Sequence, residues 1–233
     1  RIRGIEEPET FDLSPDGKTL YVSNEEDAAV SFVDVETGKV FGYVELGEEP
    51  EGVQVTADGS TVYVASEAAN IVHVIDTATA EIRADILVGT RPRRFALTPD
   101  EKELWVSAEL AGQVDIIDTA TNRTIGDIVF LPTGFRRNEV TPVDILMTGD
   151  GKTAFVALGR ANHVAVVDVA SRKVRDYILV GKRPWGLAFS RDEKILYVAN
   201  GLSDDLTIID AVSLKVVKSV AVGMVPYGIL VDD

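Results

Sequence analysis

Charged residues surround a set of prolines that recur through the chain, and their types and spacing favour binding chemistry. Around the first two prolines the charges are acidic: Glu6, Glu7, Glu9, Glu48, Glu49 and Glu51. Around the third and fifth they are basic, with an indole alongside: Arg91, Arg93, Arg94, Lys182, Arg183 and Trp185. Guanidinium groups bind carboxylates through paired hydrogen bonds and aromatic rings stack on planar ligands, whereas clustered carboxylates suit a hard cation or a basic partner. A solvated, charged loop surface is the alternative interpretation.

These residues predict two sites. The predicted ligand site binds an anionic small molecule, such as a planar polycarboxylate, through Arg93, Arg136, Arg183, Trp185 and Tyr227. The candidate metal ligands are Glu6, Glu9, Glu49, Glu51 and His163. We predict no catalytic residue, because no Ser/His/Asp set and no HExxH motif can be assembled from the sequence. The second histidine, His73, lies inside the apolar run NIVHVID and is interpreted as structural.

The elements that must position these residues form a repeat. Its prolines are Pro8, Pro50, Pro92, Pro142, Pro184 and Pro226, spaced by 42, 42, 50, 42 and 42 residues. In each of five units an Asp stands eight residues after the proline, an aromatic residue thirteen after and a second Asp twenty-six after. A fixed period of this length is typical of repeat architectures. The Asp residues are expected to cap turns, and the aromatic residues to pack between neighbouring units.

One unit departs from the period. Eight extra residues must lie between Asp118 and Pro142, and we assign them to the segment FLPTGFRRNEVT at Phe130–Thr141. An insertion in one repeat often maps to the binding face, and a tolerated surface loop is the alternative.

Each unit predicts four short strands separated by turns. In the first unit these are Thr10–Ser14, Thr19–Ser23, Ala29–Asp34 and Lys39–Leu46. The apolar runs are short and rich in β-branched residues, and none sustains a helical period. About 42 residues with four strands match one blade of a β-propeller, whose radial packing buries sheet faces that a lone blade would expose. We therefore predict an all-β propeller of four-stranded antiparallel blades, with an open stack of sheets as the alternative.

The domain prediction is a single propeller spanning residues 1–233. Its repeat units are 8–49, 50–91, 92–141, 142–183 and 184–225, followed by a closing strand at 226–233. Within that segment, Tyr227–Val231 is expected to form the innermost strand of a blade begun upstream. The start of the chain resembles the last strand of a preceding blade, so some N-terminal chain is expected to be missing.

Composition excludes several classes of function. With 23 Lys+Arg against 38 Asp+Glu, the formal net charge of −15 disfavours binding to nucleic acid or to an anionic membrane surface. The absence of Cys removes disulfides, thiolate nucleophiles and Cys-ligated metal sites. No apolar run approaches the roughly 20 residues of a membrane span.

Three phrases carry a resemblance to a known family: SPDGKTLYVSN at Ser14–Asn24, VGKRPWGLAFS at Val180–Ser190 and LYVANGLSDDLTIID at Leu196–Asp210. They resemble the YVTN-type β-propeller repeat over the whole chain. With the ending VPYGILVDD, the chain is most similar to the PQQ-dependent catabolism-associated propellers. That resemblance implies seven blades, two of them upstream, export to the periplasm and no established catalytic activity.

The main functional hypothesis is a noncatalytic periplasmic binding or scaffold propeller associated with quinoprotein alcohol oxidation. It would recognise an anionic small molecule, such as PQQ, or a partner protein at the channel mouth. The alternative is a lactonase-like or lyase-like enzyme that uses the Glu residues, His163 and a divalent cation. A surface-layer structural module is the third hypothesis, and fold alone does not decide among them.

Overall fold

The protein is built from five four-stranded meander sheets, in each of which neighbouring strands follow one another in the chain. The computed structural model describes residues 2 and 4–232. The first sheet contains β1 (Pro8–Leu13), β2 (Thr19–Asn24), β3 (Ala29–Asp34) and β4 (Lys39–Glu45). The second contains β5 (Pro50–Val55), β6 (Thr61–Ser66), β7 (Ile71–Asp76) and β8 (Glu81–Leu87). The third contains β9 (Pro92–Leu97), β10 (Glu103–Ala108), β11 (Gln113–Asp118) and β12 (Arg123–Val129).

The remaining sheets follow the inserted segment. The fourth contains β13 (Pro142–Met147), β14 (Thr153–Leu158), β15 (His163–Asp168) and β16 (Lys173–Leu179). The fifth contains β17 (Pro184–Phe189), β18 (Ile195–Asn200), β19 (Asp205–Asp210) and β20 (Lys215–Ala221). Two short 3-10 turns, Arg137–Glu139 and Gly159–Ala161, are the helical elements of the described residues. No helix in residues 2 and 4–232 has the length and apolar character needed to cross a bilayer.

Side-chain hydrogen bonds close the turn between the first two strands of each sheet. In the fourth sheet, Asp150 Oδ1 accepts the Lys152 N–H at 3.0 Å and the Thr148 hydroxyl at 2.8 Å. The hydrogen bonds from Lys152 and Thr148 lower the pKa of Asp150 to about 2. The prediction that the repeated Asp residues cap the local backbone is confirmed.

The described chain divides into two compact units. One comprises the residues up to Val106 together with Asp115–Gly126, and the other comprises Ser107–Val114 together with the residues from Asp127 onward. In the first unit, Tyr21 and Val44 pack with Val62 of the second sheet. In the second unit, Phe155 and Ile178 of the fourth sheet pack with Leu196 of the fifth. Apolar faces of adjacent sheets therefore cover one another within each unit.

The all-β propeller class is confirmed, and each sheet starts at the proline that marks its repeat. The first strand of the first unit starts two residues earlier than the pattern predicted, at Pro8. The described residues of 226–233 form no strand here, and the closing strand, whose blade was expected to begin upstream, stays a prediction. A strand is stable only when a neighbour pairs with its backbone, and this segment forms no ladder with the described part of the chain.

Candidate functional site

We call the loop that precedes the first strand of each sheet a link. Several candidate residues lie at the ends of these links and have a left-handed backbone conformation. Glu49, Arg91 and Arg183, each just before a repeat proline, adopt left-handed φ values of 55°, 63° and 59°. Two residues beyond Pro50, a Cβ on Gly52 would lie 2.1 Å from the carbonyl oxygen of Arg93. Glycine at this position lets β5 approach β9 closely enough to bring side chains of the two strands together.

Arg93 lies at the centre of a buried ion-pair network in the first unit. Its Nη2 is 3.1 Å from Glu51 Oε1, and its Nη1 is 2.5 Å from Glu67 Oε1. The side chains of Arg93, Glu51 and Glu67 are 6%, 5% and 5% exposed. Little water reaches these charges, so each depends on its partners for stabilisation.

Two further arginines complete this network. Arg91 Nε is 2.6 Å from Glu67 Oε2, and Arg94 Nη1 is 3.0 Å from Glu51 Oε1. We call the set Glu51, Glu67, Arg91, Arg93 and Arg94 the Arg93 cluster. Arg91 is 43% exposed and is its most accessible member. Burial raises the pKa of Glu67, opposed by Arg93 and Arg91.

The cluster joins residues that the sequence assigned to two different predicted sites. Glu51 of the second repeat, a candidate metal ligand, directly contacts Arg93, a predicted anion-site residue, and Arg94 of the third repeat. The reason is that adjacent links lie side by side in the first unit, where opposite charges pair once they are removed from water.

Glu9 lies beside this cluster and has a strongly shifted pKa. Burial, the Glu51 and Glu25 carboxylates and hydrogen bonds with both raise its pKa from 4.5 to about 7. The Glu9 side chain is half-buried, so it keeps a route to solvent. A carboxyl group with a pKa near neutrality can both accept and return a proton.

The structure brings together part of the candidate metal set. Glu9 and Glu51 are neighbours, whereas Glu6 and Glu49 are exposed. His163 belongs to the second unit, where its Nδ1 lies 2.6 Å from the carbonyl oxygen of Ala161. Within residues 2 and 4–232, no group of three or more His, Cys, Asp or Glu could hold a metal ion. The metal role of these residues stays a prediction.

Three of the predicted anion-site residues meet in the second unit. The Trp185 and Tyr227 rings lie 5.0 Å apart at 36°, and the Arg183 guanidinium carbon lies 4.9 Å from the Trp185 ring centroid. Arg183 Nη2 also lies 3.0 Å from Oε1 of Glu109, a carboxylate that is 2% exposed. This arrangement suits a cation–π contact and a flat ligand.

The other two predicted anion-site residues belong to other parts of the fold. Arg93 is in the first unit, and Arg136 is an exposed residue of the insertion whose backbone N–H donates to Glu139 at 2.8 Å. Anion binding by the five residues stays a prediction.

Sequence reasoning missed Glu67, which pairs with Arg93, and Glu109, which pairs with Arg183. Glu67 and Glu109 occupy the same place in the repeat, seventeen residues after Pro50 and Pro92, and Glu25 stands seventeen after Pro8. This offset recurs in three units and is absent from the fourth and fifth, where Gly159 and Gly201 occupy it. The recurrence is the signal that could have identified them.

A Ser–His–Asp set, which could not be assembled from the sequence, forms across three strands of the second sheet. Ser66 Oγ lies 2.9 Å from His73 Nε2, and His73 Nδ1 lies 2.6 Å from Asp85 Oδ1. Ser66 is fully buried and also donates to the carbonyl oxygen of Gly47 at 3.1 Å, while the Gly47 N–H donates to His73 Nε2 at 3.2 Å. The set anchors the backbone before Glu49 and Glu51, in agreement with the structural interpretation of His73.

Comparison with known proteins supports the fold. A family model described as "Lactonase, 7-bladed beta-propeller" matches residues 79–214. The periplasmic gluconolactonase of Pseudomonas aeruginosa is similar in structure, with a TM-score of 0.76 and 24% identity, covering 94% of this chain and 71% of that one. Hydrazine synthase of Kuenenia stuttgartiensis has a TM-score of 0.62 and 22% identity, covering 98% and 90%. No curated protein sequence matches the chain significantly. The PQQ-associated subgroup is not confirmed.

Proposed function

Since the chain belongs to the seven-bladed β-propeller lactonase family, we propose that it hydrolyses a lactone. Family membership favours this lactonase-like alternative over the noncatalytic PQQ-associated scaffold. The observation that carries the proposal is the half-buried Glu9 carboxyl, with a pKa of about 7, beside the Arg93 cluster. Glu9 adjoins Glu51, which in turn pairs with Arg93 and Arg94. An acid–base group near neutrality, joined through one carboxylate to guanidinium groups, supplies the two functions that hydrolysis of a cyclic ester needs.

In the proposed reaction, the ionised Glu9 carboxylate takes a proton from a water molecule as its oxygen attacks the lactone carbonyl carbon. The ring C–O bond then breaks, and the protonated Glu9 returns the proton to the departing ring oxygen. One water is consumed, and the product is a hydroxy acid. Glu9 ends in the form in which it started, as a general base must.

The arginines stabilise the negative charge that develops on the carbonyl oxygen. Arg91 is the accessible member of the cluster, and Arg93 is held in place by two buried carboxylates. Guanidinium groups held by buried partners need little reorganisation when charge develops, which is the condition for effective electrostatic catalysis. Arg91 also suits a carboxylate or other anionic group on the substrate.

The test uses D-glucono-1,5-lactone, with acid release measured against its spontaneous hydrolysis. The protein is expected to accelerate hydrolysis, with kcat rising with pH through about 7 because the base acts when deprotonated. Glu9→Gln is expected to lower kcat by about 100-fold or more. Arg91→Ala is expected to lower kcat/KM, and the exposed Glu26→Gln is the matched control. If the protein accelerates hydrolysis of neither this lactone nor other five- and six-membered lactones, the proposal is wrong.

A second candidate function, binding of a planar anion without catalysis, rests on a separate observation. The Trp185–Tyr227 stack and the Arg183 guanidinium over Trp185 suit a flat polycarboxylate, which brings negative charge and a ring face together. Calorimetric titration with PQQ, compared with Arg183→Ala, tests it. Binding weaker than millimolar, or an affinity unchanged by the substitution, would count against it and favour a partner protein on the same surface.

A periplasmic location, implied by the sequence resemblance, remains part of the proposal. The structurally similar gluconolactonase of Pseudomonas aeruginosa is a periplasmic enzyme, which supports that location. Fractionation of cells that express the complete gene would test it.

A further inference from the structure

An open cavity of about 370 Å³ lies beside the insertion in the second unit. Its lining residues come from the insertion and from the two outer strands of the fourth sheet: Pro132, Thr133, His163, Val174, Arg175, Asp176 and Tyr177. This volume is at the lower end of the range for small-molecule sites. None of these residues belongs to the Arg93 cluster or to the Trp185 stack, so the cavity shares no lining residue with either site described above.

Two aromatic rings form a rigid corner of the cavity. His163 packs edge-to-face between Phe135, at 5.7 Å and 82°, and Tyr177, at 6.4 Å and 87°. The Tyr177 hydroxyl oxygen accepts the backbone N–H of Leu131 at 2.9 Å, which joins the insertion to β16. Because both rings are held by protein contacts, a ligand would not have to order them, which lowers the entropic cost of binding.

Comparison with the other repeats shows that the residues of this corner differ from those at the equivalent positions. The positions equivalent to His163 hold Ala29, Ile71, Gln113 and Asp205. In the second sheet, His73 reaches Asp85 across the strand pair, whereas the fourth sheet has Ala165 opposite Tyr177. With a small residue in place of the imidazole, Tyr177 hydrogen-bonds to the insertion instead of to a cross-strand partner.

The polar groups of the cavity are mainly hydrogen-bond acceptors. His163 Nδ1 lies 2.6 Å from the Ala161 carbonyl oxygen, so Nδ1 carries a proton. In the corresponding imidazole tautomer, Nε2 is the acceptor that faces a ligand. The Asp176 carboxylate is exposed at the rim, where its Oδ1 accepts the Tyr177 N–H at 2.8 Å. The Tyr177 and Thr133 hydroxyls can each donate a hydrogen bond to a ligand.

The charge of Arg175 is directed away from this corner. Its Nη2 lies 3.4 Å from Thr153 Oγ1, at the end of the strand pair where Thr153 pairs with Asp168. His163 pairs with Leu158 at the opposite end, five residues and roughly 17 Å away. Arg175 therefore lines the cavity with its stem, and the remaining Asp176 carboxylate disfavours an anionic ligand.

We propose that this cavity binds a neutral pyranose sugar. The apolar C–H face of the ring packs on Tyr177, and its hydroxyls donate to His163 Nε2 and Asp176 and accept from Tyr177 and Thr133. Such a ligand combines an apolar face with many hydroxyl donors, as the aromatic corner and its acceptors require. The proposal does not rest on lactone hydrolysis, since the two sites share no residue.

Saturation-transfer NMR of the full chain tests this, with methyl β-D-glucopyranoside, methyl α-D-mannopyranoside and methyl β-D-galactopyranoside as probes. At least one glycoside is expected to bind with a millimolar Kd. Tyr177→Ala and His163→Ala are each expected to weaken binding by about 10-fold or more. Tyr43→Ala is the matched control, because Tyr43 is the repeat equivalent of Tyr177 and lies outside the cavity.

A second measurement keeps the test valid if a variant is less stable. In ¹⁵N-histidine spectra of the unmodified protein, the bound glycoside is expected to shift the His163 Nε2 resonance, while His73 stays unchanged. Absence of glycoside binding at about 50 mM would overturn the proposal. So would tighter binding of glucuronate, phenol or tetramethylammonium, or an affinity that falls with Tyr43→Ala and not with Tyr177→Ala.

Discussion

Arg93 and Lys18 both form ion pairs with carboxylates, but their surroundings differ. The Arg93 side chain is 6% exposed and has two buried carboxylate partners, whereas Lys18 is 81% exposed and lies 3.8 Å from Asp16. A charge in water is stabilised by the solvent whether or not it is paired. A buried charge has no such alternative, so loss of its partner is costly.

Replacing Arg93 with Ala is therefore expected to lower the free energy of unfolding by about 3–5 kcal/mol, since Glu51 and Glu67 would remain buried without their central partner. Urea denaturation measures the loss. Lys18→Ala is the control and should leave stability nearly unchanged. If both variants unfold at the wild-type urea concentration, the Arg93 cluster is solvated in solution.

Glu9 predicts a pH dependence of stability that needs no substrate. Its pKa is about 7 in the folded protein and about 4.5 when unfolded, so between these values the folded state binds the extra proton. Stability should fall as the pH rises from about 5 to 7.5, and Glu9→Gln should flatten this part of the curve. Melting temperatures across the range check it. A wild-type curve that rises through the same window would contradict the raised pKa.

At the scale of elements, a cross-strand set of polar side chains holds a link in place. Ser66, His73 and Asp85 lie on β6, β7 and β8, and they reach the backbone of Gly47 before β5. In the third sheet, a single carboxylate binds the backbone before β9: Asp115 Oδ2 accepts the Gly89 N–H at 2.6 Å. The second and third sheets thereby each position the link that leads into their own first strand.

His73→Leu is expected to destabilise the protein by about 2 kcal/mol, because the substitution removes the acceptor for the Gly47 N–H and leaves buried polar groups unsatisfied. His73→Gln retains an amide oxygen as a possible acceptor and should lose less. Thermal melts rank the variants, and hydrogen exchange at residues 46–49 should quicken in the Leu variant. Equal losses in both variants would indicate that packing, rather than hydrogen bonding, gives His73 its role.

At the scale of the whole molecule, net charge is the dominant electrostatic property. The protein has 38 Asp+Glu against 23 Lys+Arg, an excess of 15 acidic groups. These negative charges repel one another in the folded state, and they repel other polyanions. The basic side chains of the Arg93 cluster are paired with carboxylates, so they offer little compensating attraction for a phosphate backbone.

Adding salt is therefore expected to raise the melting temperature, because the Debye length falls from about 30 Å at 0.01 M to about 8 Å at 0.15 M and screens the repulsion. Over the same range, fluorescence anisotropy should detect no binding to duplex DNA or heparin. A melting temperature that falls with salt would show that attractive ion pairs outweigh net repulsion. Binding to either polymer would reveal a basic surface that the charge count does not predict.

The sequence by itself determined the repeat, the strands and their turns. The spacing of the prolines, the Asp residues at turn positions and the aromatic residues at a constant offset all act within one unit of about 42 residues. Propensity and turn chemistry are local, so each unit predicts its own four strands independently of the others. The repeat length and the four strands of each unit predicted a propeller, and the family resemblance agreed with that prediction.

Only the tertiary structure decided which charged groups meet and what they can do. Glu51 and Arg93 are 42 residues apart, and Leu131 and Tyr177 are 46 apart, so no local pattern indicates either contact. Glu9 has an ordinary side chain, and its shifted pKa comes from burial beside Glu25 and Glu51. Burial and charge pairing depend on the distances between sheets, and those distances are a property of the folded chain rather than of any single repeat.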